Sequence, residues 1–201
     1  MKNLETIKLP SSLEVIGSFA FEGCESLDNV VIPEGVKRID SNCFQRCTSL
    51  KSISLPQTLK ELDYGLFDSC TSLEQITIPD SVTTVKGSFE NCTALKSVTI
   101  GAGLTEYLPA FYNCTNLERI EVSKDNEKYY SLDGVLVEKE SETIIAYPNK
   151  KGSTYTIPDR IKFIGYHSFI DCVDLTEVKF HDNVTYISIE AFFNCTALKN
   201  V

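Results

Sequence analysis

Eight cysteines and two histidines are the residues of this chain with the most obvious chemistry. Cysteine can serve as nucleophile, metal ligand or half of a disulfide, and spacing decides which uses remain. Cys24, Cys47, Cys70, Cys92, Cys114, Cys172 and Cys195 lie 23, 23, 22, 22, 58 and 23 residues apart. Each follows a phenylalanine by three positions and precedes a leucine by three, from Phe21/Cys24/Leu27 to Phe192/Cys195/Leu198. A residue recurring in phase with apolar neighbours holds an equivalent place in every repeat. Seven such side chains point the same way into one interior, where a thiol behaves as a small hydrophobe.

That placement works against the reactive readings. Neighbouring repeats bring the cysteine Cα atoms to about the right separation for a bridge, but parallel side chains do not supply a disulfide's dihedral. Cys43 stands at the small-residue position before Phe44, close enough to Cys47 to leave one pairing open. Zinc needs four convergent ligands. Only His167 and His181 are available, and His181 stands where other repeats have proline. Nucleophilic catalysis needs a thiol or hydroxyl beside a histidine and a carboxylate, and interior thiols do not meet substrate. No catalytic residue, metal ligand or cofactor site is expected.

Asn91-Cys92-Thr93, Asn113-Cys114-Thr115, Asn194-Cys195-Thr196 and Asn183-Val184-Thr185 match the glycosylation tripeptide. In three of them the middle residue is the interior cysteine. A structural role is therefore expected, with asparagine and threonine hydrogen-bonding the backbone at a turn.

The elements that position these residues follow from the period. A unit of about 23 residues cannot bury its own apolar face and must stack on its neighbours as a solenoid. The fullest unit runs Val36-x-x-Ile39, Phe44, Cys47, Leu50, Ile53 and Leu55, then Pro56. Leu50–Leu55 ends in the alternation of a strand, and proline closes it, as at Pro10, Pro33, Pro79 and Pro158. One strand per unit, always in one direction, predicts a parallel sheet. The stretch around each phenylalanine is too short for a long helix. It predicts a helical or 3₁₀ turn on the outer side, with the ring pointing inward.

The 58-residue step is 23 plus 35. Counting back from Cys172 places Asn149 at the cysteine position and puts Tyr155 and Ile157 on strand phase. The modified unit at 123–149 contains two β-rich segments, Tyr130–Val137 and Thr143–Tyr147, joined by the charged Glu138–Glu142. A β-hairpin projecting from the coil is predicted.

At 201 residues, with 42% hydrophobic and 23% charged residues, the composition is that of an ordinary folded chain. The net charge of −9 argues against nucleic acid, which requires a basic stripe. No apolar run is long enough to suggest a membrane span. One repeat domain over 1–201 is expected, about nine coils with partial units at both ends. Leu4, Ile7 and Leu9 match the phase of Leu27, Val30 and Ile32, while Leu198 and Val201 open a further unit. Neither end shows a polar cap, so a piece of a longer protein is expected.

Ile32-Pro33, Val36-x-x-Ile39 and Phe44-x-x-Cys47-Thr48-Ser49-Leu50 resemble the BspA-like leucine-rich repeat family, over essentially the whole chain. Asp133-Gly134-Val135-Leu136 and Tyr147-Pro148-x-Lys150-Lys151-Gly152 are similar to a recurring variant unit of that family. The resemblance implies a leucine-rich repeat solenoid: a right-handed parallel β-sheet coil with short helical or 3₁₀ outer turns and one inserted β-hairpin. It also implies a surface or secreted protein of mucosal bacteria or protists, and some members attach to host matrix proteins or epithelial cells. It brings no catalytic residues.

The surface left for function is the open sheet face. Its outward positions include Asn29, Ser52, Ser54, Gln75, Thr77, Ser97, Thr99, Arg119 and Glu121, rich in hydroxyls and amides with charge only towards the ends. Extended solenoid faces often dock macromolecules. Tyr129 and Tyr130, near the hairpin, join the candidates because tyrosine is enriched at binding hot spots. The expectation is a non-catalytic interaction module, extracellular or at the cell surface, holding a protein or glycoprotein of a host or neighbouring cell. An architectural spacer and an intracellular scaffold stay open beside it; reduced thiols suit the scaffold best.

Overall fold

A computed structural model of the protein describes residues 1–200; Val201 lies outside the described residues. In chain order its strands begin with β1 (Val15–Ile16), β2 (Asn29–Val31), β3 (Arg38–Ile39), β4 (Ser52–Ser54), β5 (Glu61–Leu62) and β6 (Gln75–Ile78). They continue with β7 (Thr84–Lys86), β8 (Ser97–Ile100), β9 (Glu106–Leu108) and β10 (Arg119–Val122). The modified unit holds β11 (Tyr129–Leu132), β12 (Val135–Glu138) and β13 (Thr143–Ala146). The chain finishes with β14 (Thr154–Thr156), β15 (Phe163–Ile164), β16 (Glu177–Lys179) and β17 (Tyr186–Ile187).

These strands stack as a parallel solenoid of about eight turns. One column carries the pairs β2–β4, β6–β8–β10 and β14–β16, the strands read from the Leu-x-x-Ile pattern. A second column carries β1–β3, β5–β7–β9 and β13–β15–β17. The expectation of one strand per unit is thus corrected: an ordinary coil contributes two. The second strand is the Val36-x-x-Ile39 segment and its equivalents, where Ile16 pairs with Ile39 and Leu62 with Val85. Two or three residues are too few to show an alternation, but their buried partners are in register.

The outer turns differ from expectation as well. No α-helix or 3₁₀ helix occurs among the described residues. Around Phe44 there are only single i→i+3 bonds, Gln45 N–H to the Asn42 carbonyl at 3.2 Å and Cys47 N–H to the Phe44 carbonyl at 3.2 Å. Two causes stop a helix. Asn42 and Arg46 adopt left-handed backbone, φ 59° at both, which reverses the chain after each turn. Intervening N–H groups are also taken by the next coil, with Phe44 N–H on the Leu66 carbonyl at 3.0 Å and Arg46 N–H on the Asp68 carbonyl at 2.8 Å. The turn backbone is therefore laced between coils.

Inside, like residues form columns. Phe21, Phe44, Phe67, Phe89 and Phe111 stack ring on ring with centroids 5.3–6.0 Å apart. Beyond the modified unit the stack resumes as Tyr147, Phe169 and Phe192, at 4.7 and 4.8 Å. All eight cysteines are free thiols, including Cys43 and Cys47. The Sγ of Cys47, Cys70, Cys92 and Cys114 each donates to the carbonyl of the preceding coil's phenylalanine, at 3.2, 3.2, 3.1 and 3.0 Å.

The modified unit does not project. β11 and β12 form one hairpin through Asp133-Gly134, and β12 and β13 a second; β13 then joins β15 in parallel. Val135, Leu136 and Val137 are completely buried. Leu136 belongs to the core of the preceding coils, together with Tyr129 and Ala146. Val135 and Val137 belong to a second core with Ile144, Tyr147, Ile161 and Phe169. The expected projecting hairpin is thus a partition across the solenoid, because three consecutive apolar residues need cover on both faces. Asn149 is buried at the predicted position, its Nδ2 donating to the Ile170 carbonyl at 2.8 Å.

Candidate binding surface

The outward strand positions lie side by side because the first column is in register. Asn29 pairs with Ser52 and Val31 with Ser54. Gln75, Ser97 and Arg119 form one row, and Thr77, Thr99 and Glu121 the next. Alternation sends Val30, Ile53, Ile76, Val98 and Ile120 inward and these residues out. Between β4 and β6 the ladder is interrupted, and a groove of about 440 Å³ opens there, lined by Ser52, Ser54, Gln57, Gln75, Thr77, Ser97 and Thr99.

Most hydroxyls of this strip differ from a set of threonines elsewhere on the coil. Thr48, Thr58, Thr71, Thr83, Thr105, Thr176 and Thr185 each donate to a carbonyl of the preceding coil. Among the described residues, Ser52 bonds the neighbouring Asn29, while Ser54, Thr77, Ser97 and Thr99 make no side-chain hydrogen bond within the chain. The strip's donors and acceptors are left for water or a partner. Charge enters at its borders. Lys96 and Glu74 pair at 3.0 Å along one edge, and Arg119 and Glu121 form the last row before the partition.

There the Asp133-Gly134 turn reaches the sheet face. Ile120 N–H donates to the Gly134 carbonyl at 2.8 Å, and the Ser131 hydroxyl to the Ile120 carbonyl at 2.7 Å. A Cβ on Gly134, whose φ is +79°, would come within 2.9 Å of the Arg119 Cβ, so only glycine fits. Lys151 Nζ holds the Asp133 carboxylate at 2.8 Å. Beyond this turn the face continues with Thr154 and Thr156 on β14, then Glu177 and Lys179 on β16. Thr154 and Thr156 are absent from the residues chosen by sequence. Their signal was Tyr155 and Ile157, whose inward phase makes both threonines outward.

The two tyrosines part company with the strip. Tyr129 is 4% exposed, and burial pushes its hydroxyl up to about 12. Its expected surface position is corrected: at the start of β11 it faces the first core, with its N–H on the Asn126 Oδ1 at 2.7 Å. Tyr130 is half-buried and donates to Glu142 at 2.8 Å, with the Arg160 guanidinium 4.8 Å from its ring centroid. Arg160 grips both oxygens of Glu142, at 3.0 and 2.9 Å, which holds that carboxyl below its usual range. This cluster borders a separate open groove of about 860 Å³ containing Asp159, Lys162, Asp182 and Asn183. None of the strip residues lines it.

The tripeptide asparagines bond differently from expectation. Asn91, Asn113 and Asn194 have left-handed backbone, and their Nδ2 groups donate to Asp68, Asn91 and Asp171 of the preceding turns at 3.0, 2.9 and 2.7 Å. Only Asn183 meets backbone, at the Asp159 carbonyl, 3.1 Å away. His181 accepts its proline-replacing place by bonding the Pro158 carbonyl at 2.9 Å. His167 lies between Tyr112 and Glu190, at 2.6 and 2.7 Å.

Residues 1–118, 86–132 and 145–201 match the BspA type leucine rich repeat region, in six copies. The chain belongs to this family. Leucine-rich repeat proteins of this kind are interaction modules and generally lack catalysis. Among solved structures, the chain is similar to a leucine rich cell surface protein from Faecalibacterium prausnitzii A2-165, with 34% identity and a TM-score of 0.76. That match covers 94% of this chain and 50% of the other. A leucine-rich repeat protein from Eubacterium ventriosum is 27% identical with a TM-score of 0.74, over 92% and 56% of the two chains. The T. pallidum leucine rich repeat protein, 23% identical over 95% of this chain and 76% of its own, shares the fold at a TM-score of 0.59. The chain thus spans about half the length of the first two relatives. A search of curated proteins finds no match.

Proposed function

We propose that this chain is the non-catalytic interaction module of a cell-surface or secreted protein, and that it holds a protein or glycoprotein of a host or neighbouring cell on its hydroxyl-rich strip. The observation that carries this reading is the contrast among hydroxyls. Seven threonines, among them Thr58 and Thr83, spend their hydroxyls on carbonyls of the preceding coil, whereas Ser54, Thr77, Ser97 and Thr99 surround a groove and make no side-chain hydrogen bond among the described residues. Rigid, in-register strands hold these groups in place, so a partner would lose little entropy in ordering them. The likeness to a protein described as a leucine rich cell surface protein supports the location. Matrix proteins and mucin-type glycoproteins immobilised on an array, probed with the purified chain, test the reading. Binding to a member of either class is expected, and weakening by Thr77→Arg with Thr99→Arg. Binding that ignores those substitutions would reject the site; binding to neither class would reject the partner.

A further inference from the structure

From β1 to β10 each coil stacks directly on the next, and both strand columns lace every pair but one. β1–β3 and β2–β4 join the coils of Phe21 and Phe44, while β5–β7–β9 and β6–β8–β10 join those of Phe67, Phe89 and Phe111. Between the coils of Phe44 and Phe67 both columns stop, since β3 does not pair with β5 or β4 with β6. Rungs beside the strands stop there too. In the second column Lys37, Thr83 and Thr105 donate their N–H groups to Glu14, Lys60 and Thr83 carbonyls at 2.8, 2.8 and 2.9 Å. In the first, Lys51, Lys96 and Glu118 donate to Asp28, Glu74 and Lys96 at 2.8, 2.8 and 2.9 Å. The N–H groups in the same places of the Phe67 coil, Lys60 and Glu74, have no backbone acceptor among the described residues.

Two corners of the coil hold this pair instead. At the outer turn the lacing is intact, with Asn42, Phe44 and Arg46 N–H groups on the Tyr64, Leu66 and Asp68 carbonyls at 3.0, 3.0 and 2.8 Å. Side chains of Ser41, Gln45 and Thr71 add bonds on that side. At the proline corner the hold is made by side chains. The Thr58 hydroxyl lies 2.5 Å from the Val36 carbonyl and 3.0 Å from that of Glu34, and the Glu34 carboxylate receives Gln57 N–H at 2.8 Å. The packing shows the same parting. Phe44 and Phe67 are 6.0 Å apart, against 5.3, 5.5 and 5.7 Å for the other rings of that stack. Ile53 is half-buried, whereas Val30, Ile76 and Val98 in its place on other coils are buried.

We propose that this interface is a hinge, with the outer-turn bonds as its axis and Thr58 as its latch, and that its angle sets the width of the groove between β4 and β6. Parting the proline corner separates both columns here without breaking a ladder, whereas at the neighbouring pairs the same motion breaks rungs in two sheets. Motion concentrates where such bonds are fewest. The strip therefore rides on two bodies, with Ser52 and Ser54 on one and Gln75, Thr77, Ser97 and Thr99 on the other. A partner lying across the groove meets a site whose two banks adjust to it. That use of the groove rests on the function proposed above; the hinge rests on the bonding of the coils alone.

Relaxation-dispersion NMR on the folded chain reads motion on the microsecond-to-millisecond scale of a hinge. Exchange is expected at the Leu55, Lys60, Asp63 and Glu74 amides and at the Ile53 and Thr77 methyls, which flank the groove. The Thr83, Lys96, Thr105 and Glu118 amides and the Val98 methyls, away from the seam, should stay flat. Thr58→Val keeps the shape of the latch and removes its hydroxyl. It should raise the open population about fivefold, as loss of one hydrogen bond of ordinary net strength does. Exchange spread evenly over both sets, exchange at neither, or a Thr58→Val profile equal to the parent's would each overturn the hinge. Amide exchange without the Ile53 and Thr77 methyls would overturn its link to the groove. No arm uses a partner, so an array without binding rejects the strip's role and leaves the hinge standing, and a flat profile does the reverse.

Discussion

Leu136 and Val137 are consecutive residues of one strand, and they are buried in different hydrophobic cores. The strand between them is a wall: coils before it pack on Leu136, and coils after it on Val135 and Val137. Local stability in a repeat protein is a sum of each unit and its neighbours, so damage to one face of the wall should stay largely on that side. Leu136→Ala removes a fully buried side chain, at a cost of ~2–5 kcal/mol. Hydrogen exchange should show the larger loss of protection at Ile76, Val98 and Ile120, and the smaller at Ile157, Ile164 and Val178. Equal losses on both sides would mean that the wall does not divide the fold.

The buried thiols carry a pH signature. Burial raises Cys43, Cys47 and Cys92 from 9.0 to about 12 in the folded chain. Below pH 9 these thiols are protonated whether the chain is folded or not, and the contribution is fully present. Above pH 9 the unfolded chain releases their protons while the folded chain keeps them, which favours unfolding. Urea midpoints should therefore fall between pH 9 and 12. Replacing Cys92 with alanine should lower stability at neutral pH and flatten this alkaline decline.

Asn149 replaces the column's cysteine with a group that reaches the Ile170 carbonyl. Asn149→Ala leaves that acceptor without its donor in a buried place, at a cost of ~1–3 kcal/mol. Chemical denaturation should register the loss, and the second core, around Tyr147 and Phe169, should be the part that loosens.

How much of this was legible follows from how the information repeats. The phenylalanine, cysteine and leucine columns recur in seven units, so stacking could be read with confidence from one period. The second strand column could not, because Arg38–Ile39 or Phe163–Ile164 is too short to carry an alternation of its own. The outer turns hid their conformation for another reason. Left-handed backbone there is carried by Asn42, Arg46, Ser69, His167 and Glu190 as well as by glycine, so no single residue type marks it. The partition did announce itself. Val135-Leu136-Val137 lacks the alternation of a hairpin with one wet face, and that run is the mark of a strand covered on both sides. Tyr129 was misplaced with it, since a projecting hairpin would have left its ring outside. The strip was legible in its residue types and phase, but the spare bonding of its hydroxyls required the coils to be assembled.

The strip's role is tested most directly by titrating a partner found on the array against the unaltered chain and Thr77→Arg/Thr99→Arg, with Tyr130→Phe as a control away from the groove. Loss of a central hot spot costs at least ~2 kcal/mol, so the double variant should bind more than tenfold more weakly while the control binds as the parent does. Equal affinity for all three, with folding intact by circular dichroism, would contradict the assignment.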